Sequence, residues 1–144
     1  MSNLYITIGR EFGSGGREIG KKVAKALNIP YYDKELMAVA AQESGLSPQF
    51  LQSYDEKPTN SFLYSLVMGH QGMITGHQTT SVDQMAANAQ RDAILSVADK
   101  GSCVIVGRCA DYILRDRPGL VRIFITADLD ARIARVSKRD GLDP

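Results

Sequence analysis

The chain has 144 residues, enough for one domain with a buried core. Hydrophobic residues are 44% and charged residues 23%, a globular balance, and the formal net charge is +1. No bulk field therefore draws it to nucleic acid or a membrane surface, and any anion binding must come from local basic clusters. There is no signal-peptide layout at the N-terminus and no apolar run near 18 residues in length. Cys103 and Cys109 are too few for a disulfide framework or a four-ligand zinc site. Together these features point to a soluble cytoplasmic protein.

In chain order, the apolar run of residues 4–8 (LYITI) predicts a first strand. A glycine-rich loop follows and opens a helix over about residues 17–27, with Ile19, Val23, Ala26 and Leu27 on one stripe. Asn28-Ile29-Pro30 breaks that helix, and Tyr31-Tyr32 reads as a short strand. A second helix fits residues 34–43 and ends at Gly45; Ser47-Pro48 starts another. Residues 55–80 hold Pro58, Gly69, Gly72, Gly76, His70 and His77 and read as an irregular insertion. Order returns with a capping-box pair, Ser81 and Gln84, and a helix marked by Val82, Met85, Ala86, Ala89, Ala93 and Val97, which Gly101 stops. Residues 103–106 form an apolar run of buried-strand type that Gly107-Arg108 ends. A brief helix over 110–114 leads to a further strand over 120–126, and Asp128 caps a last helix carrying Arg132, Arg135, Lys138 and Arg139. Apolar strands alternating with helices imply a parallel sheet covered on both faces. The pattern stops within or just after a helix, so this architecture leads one to expect a closing strand further on.

The glycine-rich loop gathers backbone N–H groups, a helix N-terminus and local cations at one point, which suits a phosphate. Against the P-loop pattern G-x-x-x-x-G-K-[ST], Gly13-Ser14-Gly15 falls on the loop and Gly16 stands where Lys belongs. Arg17 then stands where Ser or Thr belongs, and Arg10 falls on the first glycine. Against the dinucleotide fingerprint G-x-G-x-x-G, Gly13 and Gly15 fit and Asp33 lies at the right distance, but Glu18 occupies the third glycine position. A simple turn needs fewer than the four glycines Gly9, Gly13, Gly15 and Gly16, and has no use for the flanking Arg10 and Arg17. Arg10 could instead pair with Glu11 or Glu18. Arg108 follows an apolar strand directly, at the strand end where parallel α/β sheets bind ligands. Arg132, Arg135 and Arg139 lie at helical spacing, which serves a solvated basic face as well as catalysis. His70 and His77 have no acid or cysteine cluster beside them, so they give no reason to assign a metal site. Cys103 reads as core.

The stretches TIGREFGSGGREIGKKVAKALNIPYYDKEL, VIVGRCADYIL and VRIFITADLDARIARV together resemble the cytidylate-kinase-like family of P-loop nucleoside monophosphate kinases. The resemblance covers nearly the whole chain except the middle insertion. It implies a P-loop three-layer α/β/α sandwich with a parallel sheet. It also implies a mainly helical acceptor-binding insertion over about residues 34–100, with the lid and final strand beyond residue 144. On that resemblance Gly13, Ser14, Gly15, Gly16 and Arg17 form the donor-phosphate loop, with Lys21 one turn further on as a second candidate cation. Asp33 begins the acceptor-binding segment, Arg108 meets the acceptor nucleotide, and Asp111 is the next acid after it. Where the family has Gly-Arg-Asp, this chain has Gly107-Arg108-Cys109. Arg132 lies on the helix leading towards the lid.

The implied activity is ATP-dependent transfer of a phosphoryl group to a nucleoside monophosphate, CMP or dCMP first. Arg17, Arg108 and Arg132 would be the catalytic residues, and Mg²⁺ would be carried by the nucleotide. The alternative is a nucleotide-binding or regulatory module without transferase activity, which Gly16 at the lysine position favours. The apolar residues Phe62, Leu63, Tyr64, Leu66 and Val67 of the insertion could pack on a second copy to give a homodimer.

Overall fold

The computed structural model describes residues 2–53 and 82–143. By residue proximity the chain divides into two compact units, one of Met1–Asp33 with Lys100–Pro144 and the other of Lys34–Asp99. The expected insertion loop over 55–80, its histidines and apolar cluster, and the Ser81 half of the capping box lie outside the described residues.

The first unit is built on a sheet of four strands, β1 (Tyr5–Arg10), β2 (Tyr31–Tyr32), β3 (Cys103–Val106) and β4 (Leu120–Ile125). Their order is β2-β3-β1-β4 and every pairing is parallel, as expected for the α/β/α class. β3 is buried along its length because it lies inside the sheet, between β2 and β1. β1 runs two residues past the expected 4–8: Gly9 and Arg10 pair with Phe124 and Ile125 of β4. This long-range pairing extends the strand to the foot of the glycine loop.

Helix α1 (Gly16–Leu27) returns over the sheet, and its buried face is not the expected stripe. Gly16, Gly20 and Ala24 are buried, whereas Ile19 and Leu27 are exposed. The small residues win because the helix sits close to the strands: a Cβ on Gly20 would fall 2.9 Å from Val106 Cγ2 and 3.2 Å from Ile8 Cδ1. Ala24 joins Ile6, Ile8, Val104 and Val106 in the core, with Val23, Ile29, Tyr31 and Ile125 packed around them. α1 ends at Asn28 in the left-handed conformation, its N–H bonded back to Lys25.

The second unit is helical where described: α2 (Glu35–Ser44), α3 (Pro48–Ser53) and α4 (Val82–Asp99). α2 ends at Gly45, and the Ser47 Oγ accepts the Phe50 N–H in capping α3. Leu36 and Ala40 on α2, Leu51 on α3, and Ala86, Ala89, Ala93, Ile94 and Val97 on α4 are buried. Met85, counted on the apolar stripe, is exposed. The Ser96 hydroxyl donates to Glu43 at 2.6 Å, tying α4 to α2.

In the first unit two further helices complete the chain, α5 (Ala110–Ile113) after β3 and α6 (Leu129–Asp140) after β4. Asp128 stands at the N-cap of α6, where its carbonyl accepts the Arg132 N–H; its carboxylate makes no cap bond.

Candidate functional site

The site assembles at the C-terminal ends of β1, β2 and β3. After β1 the chain turns tightly, with the Ser14 N–H donating to the Glu11 carbonyl at 3.1 Å. Gly13 and Gly15 adopt φ of 80° and 88°, conformations that glycine takes without strain. Gly15 is the N-cap of α1, so the first-turn N–H groups and the positive end of the helix dipole meet at the loop. Ser14 is buried, and its Oγ has no hydrogen-bond partner among the described residues.

Beside the loop lies a buried charge cluster. Asp33 follows β2 and is almost fully buried. Its Oδ1 accepts a hydrogen bond from Arg108 Nη1, while Arg17 Nε stands 2.8 Å from its Oδ2. The Tyr31 hydroxyl is 3.5 Å from the same Oδ2. The Arg108 side chain is fully buried and also donates to the Val106 carbonyl at 3.3 Å; that of Arg17 is 43% exposed. One carboxylate therefore joins a cation of the glycine-loop helix to a cation at the end of β3. This arrangement leaves Asp33 ill placed to receive a ribose hydroxyl, which is what the dinucleotide fingerprint required.

Arg108 and Cys109 both have left-handed backbone, at φ of 58° and 56°. Two consecutive non-glycine residues in that region are uncommon and carry strain, a pattern that clusters at functional sites. The turn they form directs Arg108 under the sheet end and places Cys109 at the N-cap of α5.

The sequence-derived candidates do not all converge. Gly13, Ser14, Gly15, Gly16 and Arg17 form the loop and the start of α1, and Asp33 and Arg108 join them through the ion pairs. Lys21 points to Tyr31, its Nζ 5.9 Å from the ring centre. Asp111 is exposed and lines a cavity of about 290 Å³ with Thr7, Gly9, Gly107, Cys109 and Arg122. Arg132 braces the loop from α6: its Nε is 3.4 Å from Glu11 Oε2 and donates to the Ala127 carbonyl at 3.1 Å.

Arg135 was legible only as one of a row of helix cations, yet it reaches the loop. Its Nη1 donates to the Gly13 carbonyl at 2.6 Å, and its guanidinium lies 3.5 Å from where a Gly15 Cβ would be. The signal was its register, three residues after Arg132 on the same helix face. Arg139, the third of the row, turns to Asp140 at 2.6 and 2.9 Å and to the Phe12 ring. That bidentate pair raises the Arg139 pKa and lowers that of Asp140.

Nucleotide phosphates fit the loop: stacked N–H donors, a helix dipole and surrounding cations. Arg17 stands where a P-loop hydroxyl would, and Ser14 Oγ is a buried hydroxyl within the loop itself.

The sequence model described as "Cytidylate kinase-like family" matches residues 5–144. Among solved structures, the crystal structure of an uncharacterized protein from Eubacterium ventriosum ATCC 27560 is similar, with 34% identity and a TM-score of 0.61. The match covers 97% of this chain and 63% of that one, so the chain spans less than two thirds of its solved relative. No curated protein matches the chain. Among the described residues no helix is long and apolar enough to cross a membrane.

Proposed function

The chain belongs to the cytidylate kinase-like family, and on that premise we propose that it catalyses ATP-dependent phosphoryl transfer to a nucleoside monophosphate, with CMP or dCMP as the first acceptors. The observation that carries this reading is the Arg17–Asp33–Arg108 cluster beside a glycine loop that opens a helix. It couples a loop suited to donor phosphates to a strand-end arginine suited to an acceptor phosphate.

Phosphoryl transfer needs alignment and charge neutralisation more than covalent assistance. In this proposal the amides of Gly13 to Gly16 and the α1 dipole hold the donor β- and γ-phosphates, with Mg²⁺ carried on them. Arg108, its guanidinium fixed by Asp33 and the Val106 carbonyl, binds the acceptor phosphate. An acceptor phosphate oxygen attacks the γ-phosphorus in line, the bond to the β-phosphate oxygen breaks, and ADP leaves. Arg17, between loop and cluster, and Arg135, over the loop, neutralise charge on the transferring group. Arg132 keeps α6 in place against Glu11. The unit of residues 34–99 is proposed as the acceptor-binding insertion, and the protein as a cytoplasmic enzyme able to form a homodimer.

Gly16 at the lysine position favours a second reading, a nucleotide-binding module without turnover. The full-length protein, given Mg·ATP with CMP, dCMP, UMP, AMP and GMP in turn, distinguishes the two. ADP release that depends on one monophosphate and collapses in Arg108→Ala is the expected result. ATP affinity without acceptor-dependent release would establish the module, and absence of both would sink the phosphate-loop reading.

A further inference from the structure

We infer that Asp33 holds Arg17 in place of a donor phosphate, and that Tyr31 is a positioning residue that serves the carboxylate when Arg17 leaves it for the ligand. The two oxygens of Asp33 meet different donors. Oδ1 accepts from Arg108 Nη1, and the Arg108 side chain is fully buried. Oδ2 faces Arg17 Nε at 2.8 Å and the Tyr31 hydroxyl, a donor further out at 3.5 Å. Oδ2 therefore has a second donor standing beside the first.

Solvent access decides which arginine exchanges. Drawing Arg108 off Asp33 would separate two buried charges, which is costly. The Arg17 side chain reaches water and its pair is partly screened, so an anion competes for it on favourable terms. Arg17 also starts from the right place. It stands on the first turn of α1 beside the glycine loop, where the helix dipole and the first-turn N–H groups favour an anion. A polyphosphate carries several negative charges where Asp33 carries one, and its paired oxygens match the guanidinium fork.

The carboxylate that Arg17 leaves is buried, so losing a donor at Oδ2 costs free energy unless another comes closer. The Tyr31 hydroxyl is placed to do so. Tyr31 opens β2, pairs with Val104 of β3 and packs its ring against the core, so its backbone and ring are held while the hydroxyl faces Asp33. Closing that contact by about half an ångström brings it into the ordinary hydrogen-bond range. Tyr31 then acts on the ligand only through Asp33 and Arg17.

The inference rests on the phosphate-loop reading, and magnesium tripolyphosphate titrated into the full-length protein separates the two. In proton–nitrogen spectra of the wild type, the Arg17 Nε–H signal, assigned by its loss in Arg17→Lys, is expected to move on saturation. By calorimetry, Arg17→Ala is expected to bind at least about tenfold more weakly, the loss of a charge-assisted contact. Tyr31→Phe keeps the ring and is expected to weaken binding about fivefold in the wild-type background. With Arg17 already alanine there is nothing to release, so the same change should then cost less than about twofold. Equal effects of Tyr31→Phe in the two backgrounds, including none in either, would overturn the inference. So would an Arg17 signal that stays in place, or an unchanged Arg17→Ala affinity, while the wild type binds; each leaves the phosphate-loop reading intact. Wild-type protein that binds no tripolyphosphate would overturn both.

Discussion

Arg17, on the first turn of α1, holds its Nε 2.8 Å from a carboxylate oxygen of Asp33, the residue that follows β2. The second oxygen of that carboxylate accepts from Arg108, whose side chain is fully buried. The two ion pairs are physically unlike. The Arg17 side chain is 43% exposed although its Nε is buried against Asp33, so solvent screens this pair in part and its contribution to stability is the smaller of the two. The Arg108 pair is closed to solvent, and burying either charge alone would be costly.

Asp33→Asn should therefore destabilise the fold by about 3–5 kcal/mol, the usual cost of leaving one buried partner without its counterion. Arg17→Ala should cost less than about 1 kcal/mol. Denaturant unfolding of the two variants beside wild type tests the contrast. Equal losses would mean that Arg108 is hydrated and that the cluster is not a buried one.

Gly13 and Gly141 separate backbone conformation from packing. Both have positive φ, 80° and 67°, so alanine at either pays the left-handed penalty of about 1–2 kcal/mol. Only at Gly13 would the new Cβ also meet atoms of α6, Val136 Cγ2 at 2.8 Å and the Arg132 carbonyl at 2.9 Å; at Gly141 it meets nothing within 4 Å. Gly13→Ala is expected to lose about 2–4 kcal/mol and Gly141→Ala about 1–2. Thermal unfolding that ranks them equally would show that α6 does not press on the loop.

What the sequence made legible follows from how local each signal is. β3 was found to the residue because a strand buried between two others is a continuous apolar run. β1 was read short because its last two residues, Gly9 and Arg10, are strand only through pairing with Phe124 and Ile125, more than a hundred positions away. The apolar stripe of α1 misled because close helix–sheet approach selects small residues, and Gly20 and Ala24 carry little hydrophobic signal. Asp33 and Arg108 were each marked as site residues, but nothing in a sequence says they touch. Their contact follows from β2 and β3 lying side by side, with Tyr32 opposite Ile105. Arg135 escaped for the same reason: only the packing of α6 on Gly13 lifts it out of an ordinary basic helix face.

Arg135→Ala tests whether that contact serves catalysis or merely anchors α6. The bond to the Gly13 carbonyl is exposed, so its loss should cost about 1 kcal/mol or less in stability. If the guanidinium meets the transferring phosphoryl group, kcat should fall about a hundredfold or more while the KM of the monophosphate changes little. An unchanged kcat would reduce Arg135 to a strut.

The two cysteines should differ in reactivity and in what they do to stability at high pH. Burial pushes the Cys103 thiol up to about 11, with the nearby Arg117 charge pulling weakly the other way. Cys109, half-buried at the N-cap of α5, has no such cover. At pH 8 a thiol reagent should label Cys109 and spare Cys103 until the protein unfolds. The sign of the stability effect follows from which state keeps its proton. The unfolded thiol ionises near its ordinary value of 9.0, whereas the folded one holds its proton to about 11. Between those values the unfolded state binds fewer protons, so stability falls as pH rises; the advantage is complete below about 9 and lost through about 11. Tyr32, also raised by burial, adds a loss of the same sign above its ordinary value of 10.0. Cys103→Ala should therefore flatten the decline over the lower part of that window and leave the part of the tyrosine's share that burial causes, while removing the part that the Cys103 charge adds. Identical pH profiles for variant and wild type would mean that the β3 thiol is not sealed under the sheet as the fold places it.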